Sequence, residues 1–184
     1  RGVVAYSGDT FIQIGNEKLM AAENYDLSEY QDVILKWSMQ GKTVMVVALA
    51  HEIAGLVAVA DVLKEEAKKT VDALHDLGSR VVMMTGDHAL TAQAIADQVG
   101  IDEVIAEVMP DEKASNVQKL QETSKVMMVG DGINDAVALV QSDIGVAIGH
   151  GSDVAIESAS IVLMKESIYD VVKTINLSRK TMRN

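Results

Sequence analysis

The sequence contains no cysteine, which excludes disulfides and thiolate metal sites. Aromatic side chains make up only 3 % of its 184 residues, so a core has to be built from Val, Ile, Leu, Met and Ala. Basic residues are outnumbered, 16 Lys and Arg against 27 Asp and Glu, and the formal charge is −11. An acidic chain repels phosphate backbones, which argues against a nucleic-acid partner. Long apolar runs are also missing. The longest, such as Thr43–Ala50, are strand-sized, well short of the roughly 20 residues that cross a bilayer. The opening Arg1-Gly2-Val3-Val4 has neither an initiator methionine nor the pattern of a signal peptide, and we expect it to lie inside a longer protein.

Hydrophobic residues account for 48 % of the chain, enough for one substantial domain or two small ones. Two textures follow one another. Residues 1–57 read as short strands with one helix. Val3–Ala5 and Phe11–Ile14 flank a Ser7-Gly8-Asp9 turn, a hairpin signal, and Gly15-Asn16 stops the second strand. Leu27–Met39 predicts an amphipathic helix with Tyr30, Val33, Ile34 and Trp37 at helical spacing. Thr43–Ala50 and Ile53–Val59 read as strands joined at His51-Glu52.

Residues 58–184 alternate between helix and strand. Leu63, Ala67, Val71 and Leu74 mark a helix ending at Gly78, and Arg80–Met84 is a short apolar strand. Residues 89–98 and Asp111–Gln121 are helical, the latter with Pro110, the only proline, just before it. Lys125–Val129, Asp143–Ile148 and Ser160–Met164 are strands, with a short helix near Asp153–Glu157, and Ser167–Asn184 closes the chain as a helix. Apolar strands alternating with helices predict a parallel sheet covered on both faces.

In such sheets ligands bind where the strands end. Thr85-Gly86-Asp87 follows one strand, Gly130-Asp131-Gly132-Ile133-Asn134-Asp135 follows another, and Pro110-Asp111-Glu112-Lys113 lies between them. The Thr85 hydroxyl and the amides of Gly86 and Asp87 suit an anion. Lys113 supplies a compact positive charge for a phosphoryl oxygen. Asp131 and Asp135 are hard oxygen ligands of the kind Mg²⁺ takes, with Asn134 between them. Glycines at 130 and 132 let the backbone turn tightly beside the ion. Alone, each motif is commonplace: a strand-to-helix turn, a solvated lysine, a loop. Together and in this order they point to phosphoryl transfer.

The same order resembles the P-type cation-transporting ATPases, a branch of the haloacid-dehalogenase-like superfamily. Residues 143–164, DIGVAIGHGSDVAIESASIVLM, and residues 53–69, IAGLVAVADVLKEEAKK, are similar to the heavy-metal (copper/zinc) branch, with Asp61 at the entry to the phosphorylation domain. Gly2 resembles the second glycine of a Gly-x-Gly nucleotide motif, and Ile12–Asn16 a later strand-Gly-Asn element of the nucleotide-binding domain. The resemblance implies a Rossmann-like, haloacid-dehalogenase-like parallel sheet, preceded by a partial nucleotide-binding domain of antiparallel strands plus a helix. It implies Mg²⁺ at Asp131 and Asp135, the transferred phosphoryl group held by Thr85, Gly86 and Lys113, Asp87 on the nucleotide-facing side, and Asn134 within the phosphate cluster. Gly2, Gly15 and Asn16 would bind adenine nucleotide, with ATP the substrate. The chain would be a cytoplasmic region of a membrane transporter, working with its membrane helices and actuator domain.

Two departures stand out. Val137 occupies a position where the family usually has proline, which should spare the metal ligands and loosen the helix start. The family's nucleophile lies in an Asp-Lys-Thr-Gly-Thr segment, and no such segment occurs here; neither Asp9-Thr10 nor Asp170-Val171 approximates it. Without that strand, unpaired edges should open inside an apolar layer, to be filled by an upstream segment, another copy or a separate piece, unless the sheet closes up in an unusual way. Three functional readings follow: the ATP-binding and phosphorylation region of a heavy-metal ATPase, inactive by itself; a non-enzymatic Mg²⁺- and phosphate- or nucleotide-binding regulator; and a soluble phosphatase of the superfamily, against which Ile12–Asn16 and residues 143–164 argue. Lys173, Arg179, Lys180 and Arg183 gather in the last helix, either as in a stalk helix nearing a membrane or as a complement to the helix dipole. His88 and His150 lie in loops and are assigned to no metal.

Overall fold

A computed structural model describes residues 2–60, 63–149 and 153–182; Arg1, Asp61, His150 and Arg183, named above, lie outside them. The chain divides into two compact units, residues 1–62 with 87–97, and residues 63–86 with 98–184.

The first unit is built on an antiparallel sheet of β1 (Gly2–Ser7), β2 (Thr10–Gly15), β3 (Thr43–Leu49) and β4 (Glu52–Val59), in that order. Its two hairpins use opposite turn chemistry. Ser7 pairs with Thr10 across Gly8-Asp9, with Gly8 at φ 60°, the position a II′ turn reserves for glycine. Leu49 pairs with Glu52, so the second turn is Ala50-His51, one residue earlier than expected. Both take positive φ, 48° and 66°, as in a type I′ turn made without glycine. His51 stacks on Phe11 with ring centroids 4.6 Å apart.

Alternation along β3 turns Val44, Val46 and Ala48 inward, and the two valines join Met20, Leu27 and Ile34 with Tyr30 and Trp37 against them. Each such aliphatic side chain stabilises by about 1.5–3 kcal/mol when fully buried. Two helices cover this face, α1 (Glu17–Ala22) and α2 (Gln31–Ser38). The first was not anticipated. Asn16, read as a stop for β2, accepts from the Leu19 amide at 3.0 Å and so starts a helix. The second begins four residues later than its pattern implies. Asp26 accepts from both the amide and the hydroxyl of Ser28, and this local turn competes with helix. Leu27 is therefore buried from a turn.

The second unit contains α3 (Glu66–Asp76), β5 (Val82–Met84), β6 (Glu103–Ile105), α5 (Lys113–Gln121), β7 (Met127–Gly130), α6 (Ala136–Gln141), β8 (Ile144–Ile148), α7 (Asp153–Ser158), β9 (Ile161–Leu163) and α8 (Asp170–Thr181). Between β5 and β6 runs α4 (Ala89–Val99), most of which groups with the first unit. The three-residue β6, begun by Glu103 and flanked by Asp102 and Glu107, lacks the apolar run that marks β5 and β9. Parallel strands are present as expected, but they pair as two sheets, β5-β6 and β7-β8-β9. Among the described residues β5 and β7 therefore each have one unpaired edge. Every residue of both is only half-buried, whereas Gly145, Val146 and Ala147 of β8 are buried. The core lies around Val146, Leu163 and Val171, with Leu74, Val129 and Ile175 packed against them.

Helices α3 and α8 are tied at both ends. The Glu66 carboxylate accepts from the Ser167 hydroxyl and the Ile168 amide, at 2.8 and 2.9 Å, and Arg179 donates to the Leu77 carbonyl at 2.9 Å. Among the described residues no helix is long and apolar enough to cross a membrane.

Candidate phosphate and metal site

The residues read as a site occupy strand ends in the second unit, Thr85 and Gly86 after β5 and Asp131 after β7. Backbone bonds fix the first turn: the Thr85 amide donates to Ile105 O and the Val108 amide to Thr85 O, both at 3.0 Å. Gly86 lies close to the Val108 carbonyl, which a Cβ there would approach to 3.4 Å. The turn is thereby attached to the segment that leads, five residues after Val108, to Lys113. Asp87 is exposed and groups with the first unit. His88 there accepts from the Leu90 amide at 3.4 Å through Nδ1.

Lys113 and Asp135 are presented by matching devices. A 3-10 turn, Pro110–Glu112, leads directly into α5 at Lys113, and the Glu112 carboxylate accepts from the Met109 amide at 2.9 Å. A second 3-10 turn, Ile133–Asp135, leads into α6. The Lys113 ammonium donates to Asp135 Oδ1 at 2.6 Å, with the two side chains only 17 % and 11 % exposed. Asp135 Oδ2 faces the Gly132 amide at 3.4 Å. A Cβ on Gly130 would stand 2.8 Å from Asp135 Cβ, so glycine is required there for the carboxylate to fit. Gly132 differs. Its backbone is extended, φ −114° and ψ 163°, and a Cβ would meet nothing closer than 3.7 Å. Asp131, Asn134 and Val137 are exposed.

Among the described residues no three His, Asp or Glu side chains converge as a metal cage. The donor set still fits Mg²⁺, which keeps several waters and takes one or two carboxylates with substrate phosphate oxygens. Asp131 is open to solvent, Asp135 is held rigid, and the pocket for its carboxylate exists only because residue 130 lacks a Cβ.

At the opposite ends of these strands Asp143 accepts from the Lys125 ammonium, the Val126 amide and Gln121. These bonds, the hydrogen bond from Lys125 first, hold its carboxyl well below the usual range. This cluster ties β7 to β8 away from the site.

In the first unit, Gly2 pairs with Gly15. A Cβ on either would collide with the Leu19 side chain, and on Gly2 also with the Ile14 carbonyl. Together with the Asn16 cap, this gives all three residues a structural part to play beside the nucleotide role read from the sequence.

A family model, haloacid dehalogenase-like hydrolase, matches residues 3–143. The chain belongs to this family. Within these hydrolases it is 45 % identical over its whole length to a copper-exporting P-type ATPase of Staphylococcus saprophyticus and 46 % identical to one of Staphylococcus aureus. It spans 23 % of the length of each. A crystal structure of a zinc-transporting PIB-type ATPase in its E2.Pi state superposes with a TM-score of 0.73 at 32 % identity, over 99 % of this chain and 29 % of that one. The catalytic domain of the CPx-ATPase CopB-B shares the fold, with a TM-score of 0.62 at 24 % identity, over 95 % of this chain and 61 % of that one. The chain thus matches a portion of heavy-metal P-type ATPases, as its motifs implied.

Proposed function

We propose that this chain holds the magnesium- and phosphate-binding groups of a heavy-metal P-type ATPase, which forms and hydrolyses an aspartyl-phosphate to drive ion movement. The observation that carries the reading is the part-buried Lys113–Asp135 pair near the end of β7, with the exposed Asp131 following that strand. A charged lysine and two carboxylates at strand ends serve phosphoryl transfer by positioning and by balancing charge. Thr85 and Gly86 would receive the phosphoryl oxygens, Lys113 would neutralise them, and Asn134 would hydrogen-bond within the cluster. Asp131 and Asp135 would hold Mg²⁺, which when bound supplies positive charge to the phosphate oxygens. Residues 1–57 would contribute the later part of the nucleotide-binding domain, with ATP near Gly2, Gly15, Asn16 and Asp87. Residues 58–184 would contribute the later part of the phosphorylation domain.

The nucleophile would arrive on an additional strand. The half-buried, unpaired edges of β5 and β7 are where such a strand would pair, bringing an aspartate to the level of Thr85 and Asp131. The remaining partners would be the transporter's membrane helices and actuator domain, with this region on the cytoplasmic side. Copper is the favoured cargo, since the copper exporters are more similar to this chain than the zinc transporter, 45–46 % against 32 %.

The test is calorimetric titration of the chain with a phosphate analogue in Mg²⁺. Asp131→Asn is expected to weaken Mg²⁺-dependent binding about tenfold or more, the loss of one charged ligand contact. Unchanged binding would show the ion to be elsewhere. The chain by itself is expected to form no hydroxylamine-labile phosphoenzyme from ATP, and detecting one would overturn the assignment of the nucleophile to another segment.

A further inference from the structure

The side of α8 that faces the sheet should repeat an apolar residue every three or four positions. Val171 and Ile175 do so and join the core around Val146 and Leu163. One turn further the same stripe carries Ser178, and Thr174 stands beside it, its hydroxyl bonded to the Asp170 carbonyl at 2.9 Å. Opposite them are Met127, Ile144 and Ile161, the first residues of β7, β8 and β9. Small hydroxyl side chains, where an aliphatic one would close the core, leave a cavity of about 220 Å³ between helix and strands. Ile144, Ser178 and Arg179 are exposed and form its mouth. We propose that this cavity binds a monocarboxylate with an aliphatic chain of roughly eight carbons, the tail filling the space and the carboxylate meeting Arg179.

Size and charge select that ligand. An apolar cavity of about 150 Å³ holds a benzene ring, so one half as large again takes a chain of roughly eight carbons. Arg179 donates to the Leu77 carbonyl at 2.9 Å, which uses one of the five N–H donors of a guanidinium. Its planar fork matches a carboxylate. Lys180 follows it in the last turn of α8, and among the described residues none that lines the cavity is acidic. The chain carries a net charge of −11 and repels anions over most of its surface. This mouth is an exception. One guanidinium balances the single charge of a carboxylate, but only part of the about −1.5 to −2 of a phosphate monoester.

The cavity is separate from the phosphate side of the sheet. It lies at the starts of the strands, a strand length of about 10 Å along β7 from Gly130. The strand proposed for the edges of β5 and β7 would pair in the plane of the sheet, whereas the cavity lies over one face, under α8.

The experiment titrates the full chain, with ¹³C-labelled isoleucine methyls, with sodium octanoate below its micelle concentration. Butanoate, hexanoate, acetate, octanol and the Ser178→Phe variant run beside it. Octanoate is expected to shift the Ile144, Ile161 and Ile175 methyls saturably and to leave Ile14 and Ile34 of the first unit unmoved. From butanoate to octanoate, each two methylenes are expected to tighten binding about tenfold. Octanol keeps the tail without the charge and is expected to bind about two- to fivefold more weakly, the share of an exposed ion pair. Ser178→Phe places its ring in the mouth from an exposed position and is expected to abolish the shifts while the methyl spectrum stays folded. Should that variant unfold, the pattern of shifted methyls in the unaltered chain decides the location. The site is overturned by an absence of saturable shifts, by shifts centred elsewhere, by affinity that ignores chain length, by acetate binding as tightly as octanoate, or by undiminished binding in folded Ser178→Phe. Octanol binding as tightly as octanoate overturns the assignment to a carboxylate.

Discussion

The two glycines of Gly130-Asp131-Gly132 look equivalent in sequence, and the structure predicts opposite effects when each is replaced by alanine. At Gly130 the new methyl would stand 2.8 Å from Asp135 Cβ and 2.9 Å from its Cγ and Oδ2. The Asp135 stem is part of a 3-10 turn and its carboxylate is bonded to Lys113, so nothing nearby yields freely. Overpacking of this kind costs about 1–3 kcal/mol. For a chain of this length that lowers the melting temperature by about 2–12 °C, at about 2–4 °C per kcal/mol. At Gly132 the nearest atoms are 3.7 and 3.8 Å away and φ is −114°, which any residue adopts. Alanine there restricts the unfolded chain and should stabilise by about 0.4–1 kcal/mol. Scanning calorimetry measures both, with hydrogen exchange of the β7–β8 amides locating the effect. Fluorescence is the wrong probe, because Trp37, the only tryptophan, belongs to the first unit. A Gly130→Ala chain as stable as the original, or a destabilised Gly132→Ala chain, would refute the close approach of Asp135.

Two further outcomes follow from the fold. Ala50 and His51 hold left-handed backbone, at about 1–2 kcal/mol each. Replacing them by Asn-Gly should stabilise the first unit by about 1–2 kcal/mol after loss of the His51–Phe11 stack, about 0.5–1.5 kcal/mol. Trp37 fluorescence melts report it, and a lower midpoint would mean the stack outweighs the turn. The second outcome concerns acid. Asp26, held down first by the Ser28 hydroxyl, Asp102, first by the Val81 amide, and Asp143, first by Lys125, all have lowered carboxyl pKa values. Their contribution is present above the unfolded carboxylate pKa, about 4, and is lost as pH falls below it. Melting midpoints should be level above about pH 5 and decline below about pH 4, with Asp143→Asn showing the shallower decline; a decline setting in near neutrality would point to other groups.

Periodicity and turn chemistry were legible along most of the chain: the Gly8-Asp9 hairpin, the alternation of β3, the apolar strands β5, β7, β8 and β9, and the motif residues at their ends. These depend on neighbours within a few residues, which a sequence displays directly. Signals failed where one residue type serves two ends or where no apolar run marks an element. Asn16 stops a strand and equally caps a helix, and only the Leu19 amide at 3.0 Å decides between them. Asp26 folds back on Ser28 and shortens a helix that the apolar spacing extends to Leu27. At three residues β6 is no shorter than β5 and β9, but it begins on Glu103 and stands between Asp102 and Glu107, so no apolar run marks it.

By itself the sequence determined the family, the parallel and antiparallel halves, and which motif side chains follow the strands. It also indicated an α/β layer lacking one strand, with either open edges or an unusual closure, because the motif segment that would supply that strand does not occur in it. Tertiary structure alone decided how those residues meet: that Lys113 is bonded to Asp135, that Gly130 makes space for the carboxylate while Gly132 does not, and that the parallel strands pair as two and three. Lys113 and Asp135 are 22 residues apart, and their 2.6 Å contact depends on two 3-10 turns being brought face to face, a long-range condition that no local pattern encodes.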